Sequence, residues 1–143
     1  MKKQLNIVFL IAGSEPLGSA GMQADIKAIT ACGGYAACAL TGIVDEDTRK
    51  VKSVTPLPAE LVVSQAESFL GDVGAQCIKT GVLPTAEIID GVAELLKRYP
   101  NVKKVIDPVI VDSNGVQLVS NESIDAYKEK LFPIATLITP NFR

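Results

Sequence analysis

Glycines, carboxylates and an amide crowd one stretch near the start of the chain: Gly13-Ser14-Glu15-Pro16-Leu17-Gly18-Ser19-Ala20-Gly21-Met22-Gln23-Ala24-Asp25. Glycine lets the main chain turn sharply and lets a ligand approach it closely. The stretch follows an apolar run over 7–12, which reads as a buried strand, and opens a helical pattern over 22–32. A helix N-terminus leaves N–H groups unpaired. A strand, a glycine loop and a helix in this order are therefore where a doubly wound protein holds a small polar ligand; the plainer alternative is a tight turn packed on glycine. The spacing fits neither a dinucleotide G-x-G-x-x-G nor a Walker A loop, since no Gly-Lys-Ser/Thr ends it. The chain has no histidine, which excludes a Ser-His-Asp triad, a Cys-His pair and a His-ligated metal. Chemistry is left to carboxylates, lysines, main-chain N–H groups or a cation on oxygen ligands.

Alternating elements must position these groups. Strand patterns cover 6–12, 35–41, 77–80, 104–107 and 136–139, and 51–55 is a candidate for a short extra strand. Between them, Met22, Ile26 and Ile29 recur at helical spacing. So do Leu61, Val62, Gln65, Ala66, Phe69 and Leu70, then Ile88, Ile89, Val92, Leu95 and Leu96, and lastly Ile124, Tyr127 and Leu131. Gly33-Gly34 closes the first helix, Pro58 opens the second and Thr85 the third. The pattern predicts an α/β fold: a three-layer αβα, doubly wound, mostly parallel sheet in a single domain.

Ligands in such sheets bind beyond the carboxyl ends of the strands. There the sequence places Gly13, Ser14 and Glu15, then Gly42, Asp45, Glu46, Asp47 and Thr48, then Gly81 and Val82. Asp107, Val109, Asp112, Ser113, Asn114 and Gly115 follow the fourth strand, and Pro140 and Asn141 the fifth. Composition narrows the partners. With 48% apolar residues and a net charge of −2, the 143 residues are globular and carry no footprint for nucleic acid. No run is long enough to span a bilayer. The three cysteines, Cys32, Cys38 and Cys77, lack C-x-x-C spacing and read as small buried residues of a reducing compartment, so a cytoplasmic location is expected.

Five pieces carry a resemblance: Gly21-Met22-Gln23-Ala24-Asp25, Asp47-Thr48-Arg49-Lys50-Val51, Lys79-Thr80-Gly81-Val82-Leu83, Asp107-Pro108-Val109-Ile110-Val111 and Ile138-Thr139-Pro140-Asn141. In this order and spacing the chain resembles the hydroxymethylpyrimidine/phosphomethylpyrimidine kinases of thiamine biosynthesis, which have the ribokinase-like fold shared with pyridoxal kinases. The resemblance implies transfer of the γ-phosphate of ATP, with Mg²⁺, to a hydroxymethylpyrimidine and then to its monophosphate. It implies that Gly13, Asp25, Glu46, Val82 and Val109 line the pyrimidine pocket, and that Asp107 and Asn141 lie on the phosphate and magnesium side, with no direct metal ligand.

The family has Asp at the place of Glu15, Gln-Asn at that of Glu46-Asp47, Met at that of Val82 and Lys-Ser at that of Ser113-Asn114. An amide both donates and accepts, whereas an ionised Glu46 only accepts. The chain stops at Arg143, directly after a predicted strand. The resemblance then implies a truncated domain in which residues 1–143 form the N-terminal, substrate-binding part. Its catalytic residue, Gly-rich anion hole and most of the ATP site are expected beyond Arg143, so the chain alone is expected to be inactive. An apolar face left uncovered predicts a homo-oligomer. A pyridoxal kinase is the alternative enzyme, and a non-catalytic binding module the alternative outside enzymes.

Overall fold

The computed structural model describes residues 5–112 and 115–141. Six strands form one sheet: β1 (Ile7–Ser14), β2 (Tyr35–Glu46), β3 (Val51–Pro56), β4 (Cys77–Thr80), β5 (Lys103–Ile106) and β6 (Leu137–Ile138), in the order β3-β2-β1-β4-β5-β6. All neighbouring pairs are parallel except β2–β3, which is antiparallel. The chain moves from β1 to β2 on one side and from β2 to β4 on the other. Right-handed crossovers in opposite directions put their helices on opposite faces. Thus α1 (Gly21–Ala31) packs on β1 and β2, while α2 (Ala59–Asp72) and α3 (Ala86–Lys97) cover the other face together with α4 (Asn121–Ala126). This is the expected doubly wound, three-layer sheet, and β1 is its switch point.

Alternation along the strands sorts the side chains. Phe9, Ile11, Ile78 and Ile106 face α2 and α3 in one core with Val62, Ala66, Ile88, Ile89, Val92, Leu95, Leu96, Tyr127 and Leu131. The ring of Phe9 stacks on Phe69 at 5.2 Å. The stripe on α3 is buried in full, as its spacing predicts. Thr85 caps that helix by accepting from Ile88 N at 3.3 Å. Thr85→Ala is expected to lower folding stability by about 1 kcal/mol, read by urea denaturation, because it orphans an amide of the first turn.

Four expectations need correction. β2 does not stop at 41 but runs to Glu46 and turns back into β3, so Gly42, Asp45 and Glu46 are strand residues and not loop. Leu61 is 46% exposed, because the buried stripe of α2 is Val62, Ala66 and Leu70. Gln65 of the predicted stripe lies beside the outer edge of β2 instead, accepting from Leu40 N at 3.1 Å and donating to Leu40 O at 3.2 Å. The last helix is not continuous: after α4 come a π-helical turn over Tyr127–Leu131 and a 3₁₀ turn over Phe132–Ile134, where Pro133 breaks the α ladder. Cys32 and Cys38 are exposed and not buried. Cys32 is the C-cap of α1, and Cys38 points to the side of β2 that α1, a single helix, covers incompletely. No helix among the described residues is long and apolar enough to cross a membrane.

Candidate functional site

A cavity of about 640 Å³ opens at the carboxyl ends of β1, β4 and β5, beneath the β2–β3 hairpin. Gly13, Asp25, Glu46, Val82, Val109, Asp107 and Asn141, the residues singled out from the sequence, all line it. Ser113 and Asn114 lie outside the described residues, as does Arg143.

The walls are apolar. Val82 follows β4, is 8% exposed and is anchored by its carbonyl, which accepts from Thr41 Oγ1 at 2.7 Å. Gly81 N–H donates to Ile11 O at 2.9 Å, closing the turn against β1. Val44 and Val54 enter from the hairpin, and Val109 and Val111 from the segment after β5. Asp107 turns that segment immediately, with its carbonyl accepting from Val109 N at 3.1 Å.

The glycine loop lines the cavity with Gly13, Glu15, Leu17, Ser19, Ala20 and Gly21. Two of its amides already have a partner inside the loop. Glu15, 4% exposed, folds its carboxylate back into them: Oε2 accepts from Leu17 N at 2.5 Å and Oε1 from Ala20 N at 2.9 Å. Gln23 secures the entrance, donating to Ser14 Oγ at 2.6 Å and accepting from Glu15 N at 3.3 Å. Burial by itself would raise the Glu15 carboxyl, but the amides of Ala20, Leu17, Gly18 and Ser19 outweigh it and hold the group below the usual carboxylate range.

Glu46 is pushed the other way. Partial burial raises its carboxyl above the ordinary value, and the neighbouring Glu15 and Asp112 carboxylates add to the rise. Two carboxyl groups in one cavity thus have opposite tendencies: Glu15 stays ionised and Glu46 keeps a proton more readily. Asp47 belongs to the turn, its Oδ1 accepting from Arg49 N at 2.9 Å and Lys50 N at 3.2 Å. Asp45 is exposed, 3.6 Å from Lys52 Nζ.

The lining also holds Lys79, a residue of a quoted motif to which the sequence assigned no role. Lys79 Nζ lies 2.8 Å from Asp25 Oδ2 and 3.5 Å from Asp107 Oδ2. Alternation on β4 turns Ile78 and Thr80 to the α2–α3 core, so Lys79 faces α1, which carries Asp25. Burial raises the Asp107 carboxyl, Lys79 pulls it back and Asp25 raises it further; the net direction is up. Among the described residues no three His, Cys, Asp or Glu side chains stand together as a cation site. Asp107 already faces the Lys79 ammonium, so these residues do not fit a directly bound Mg²⁺.

The model of the family described as phosphomethylpyrimidine kinase matches residues 15–143. The hydroxymethylpyrimidine/phosphomethylpyrimidine kinase of Mycobacterium leprae is 39% identical over 135 residues, 94% of this chain and 48% of that protein. The crystal structure of phosphomethylpyrimidine kinase from Clostridium difficile 630 superposes with a TM-score of 0.88 at 34% identity, covering 95% of this chain and 59% of that one. The pyridoxal kinase of Staphylococcus aureus in complex with AMP-PCP and pyridoxal gives a TM-score of 0.81 at 38% identity, covering 96% of this chain and 49% of that one. The chain spans about half the length of the curated Mycobacterium leprae relative it matches. With the match covering residues 15–143, and with them all the cavity's lining but Gly13, this chain belongs to the phosphomethylpyrimidine kinase family.

Proposed function

We propose that the cavity binds 4-amino-5-hydroxymethyl-2-methylpyrimidine and its monophosphate, as the substrate-binding part of an enzyme that transfers the γ-phosphate of ATP to each in turn. The observation that carries this is the cavity of about 640 Å³ at the strand ends, whose lining combines valines with carboxyl groups. A flat heteroaromatic ring wants apolar walls and a few placed polar groups that fix its orientation. Val82 and Val109 supply the walls for the ring. Glu46 reads its amidine edge: the raised carboxyl, holding or sharing a proton, both accepts from the ring's amino group and donates to a ring nitrogen. That is the pairing an amide gives at this place in the family, so the Glu for Gln difference is compatible with the same ligand. Asp107 and Asn141 stand toward the phosphate side, where Asp107 helps to orient the hydroxymethyl oxygen that attacks the phosphorus. ATP is the phosphate donor, and the enzyme works in the cytoplasm.

Pyridoxal is the second ligand to be weighed, because the pyridoxal kinase of Staphylococcus aureus superposes with a TM-score of 0.81 and a cavity of about 640 Å³ has room for a pyridine. Calorimetric titration of the chain with both compounds decides between them. We expect the pyrimidine to bind more tightly than pyridoxal. Glu46→Ala is expected to weaken pyrimidine binding by about 1–3 kcal/mol, the cost of leaving buried polar groups unpaired. Unchanged affinity in Glu46→Ala would remove this residue from the site. Tighter binding of pyridoxal would replace the pyrimidine reading, and heat with neither compound would leave a binding module of another ligand.

A further inference from the structure

We propose that Lys79, which lines the cavity, is its positioning residue: it fixes the direction of the Asp25 and Asp107 carboxylates and sets pyrimidine affinity through them. The proposal rests on the pyrimidine as ligand and adds to it a residue that no resemblance assigned.

Three elements meet at Lys79. Asp25 belongs to the second turn of α1, Lys79 to β4, and Asp107 is the first residue after β5. In sequence the two carboxylates are 54 and 28 positions from the lysine. An ammonium has three donors and no acceptor, and here it spans both carboxylates at 2.8 and 3.5 Å. The side chains are 24%, 21% and 28% exposed, so water screens the group only in part. Among the described residues, the other cations that line the cavity, Arg49 and Lys50, sit on the β2–β3 turn. Without Lys79 the carboxylates of Asp25 and Asp107 face one another with no cation between them. Like charges that close repel, and both side chains have free rotamers by which to separate. Asp25 then turns from the direction that the ligand meets. Two residues beyond Lys79 the same strand end becomes Gly81 and Val82, so the lysine also stands where the apolar wall begins.

The test uses the 143-residue chain, titrated with 4-amino-5-hydroxymethyl-2-methylpyrimidine and melted in parallel, together with Lys79→Met, Lys79→Arg, Asp25→Asn and the double variant Lys79→Met/Asp25→Asn. We expect Lys79→Met to bind about tenfold more weakly, Lys79→Arg to stay within about threefold of the wild type, and the double variant to bind no more weakly than Asp25→Asn alone, since residues acting as one unit are not additive. A merely structural lysine would lower the melting temperature without this coupling. Wild-type affinity in Lys79→Met, or losses that multiply in the double variant, would overturn the proposal while the pyrimidine reading stands. If the wild-type chain takes up no pyrimidine, the reading of the ligand fails, and this inference falls with it. Should Lys79→Met not fold, Lys79→Gln, which keeps a donor but no charge, is titrated in its place against the same expectations.

Discussion

Phe9→Ala should cost about 3–5 kcal/mol of folding stability, the range for truncating a fully buried aromatic ring. Phe9 has no exposed surface and lies on β1, the strand from which the sheet winds both ways. Its ring stacks on Phe69 of α2 at 5.2 Å and 17° and shares a core with Ile78 of β4 and Leu95 of α3. The cavity left behind would be bounded by two strands and two helices that are held by their own packing, so it cannot collapse freely. Domains are stable by only about 5–15 kcal/mol, which makes this loss a large share of the total. Urea denaturation would show it as a lower midpoint with an unchanged slope. A loss under about 1 kcal/mol would mean that the layer between β1 and α2 repacks, and that the core is softer than its burial indicates.

Gly21→Ala should damage binding as well as stability. Gly21 has φ +57°, where an L side chain costs roughly 1–2 kcal/mol. A Cβ there would also stand 2.7 Å from the carbonyl oxygen of Gly13, which is backbone and cannot swing aside. Either the start of α1 or the end of β1 must move, and both line the cavity. We expect pyrimidine affinity to fall by more than about tenfold, since misplacing a wall by an ångström is enough to lose that much. Gly33→Ala is the control. Its φ is +79°, but nothing lies within 4 Å of the added Cβ and it is remote from the cavity. It should pay the conformational cost in the melt and leave the titration unchanged. Equal affinities in the two variants would show that the contact between Gly21 and Gly13 is not needed for the site.

Much of the fold is legible because burial imposes a period. The α3 stripe of Ile88, Ile89, Val92, Leu95 and Leu96 admits only one face, and β4 and β5 are short segments between helices that bury Ile78 and Ile106. The extension of β2 is not legible in the same way. Residues 42–46 mix glycine, apolar residues and carboxylates, because this part of the strand stands above the core and borrows its order from β3. The cavity is partly legible. Its residues lie at strand ends, where the topology of the sheet directs attention. The partners they choose are hidden: Glu15 could not be assigned to the loop amides before the loop was closed, and Lys79 could not be matched to two carboxylates so distant in sequence. Exposure of Cys32 and Cys38 is hidden as well, since it depends on how much of the sheet a single helix shields.

The pairing of Gln65 with Leu40 has a consequence for encounters between molecules. β3 shields β2 only from Gly42 onward, which leaves the first half of β2 as an outer strand with Tyr35 half exposed. An outer strand with free N–H and C=O groups is a template on which another chain can extend the sheet. The amide of Gln65 takes both backbone groups of Leu40, at 3.1 and 3.2 Å, in the way a neighbouring strand would. One helical side chain thereby occupies the end of the open edge next to β3, and a foreign strand laid there would have to give up its ladder at that point. In a crowded solution this single amide helps to keep the sheet from becoming a seed for aggregation.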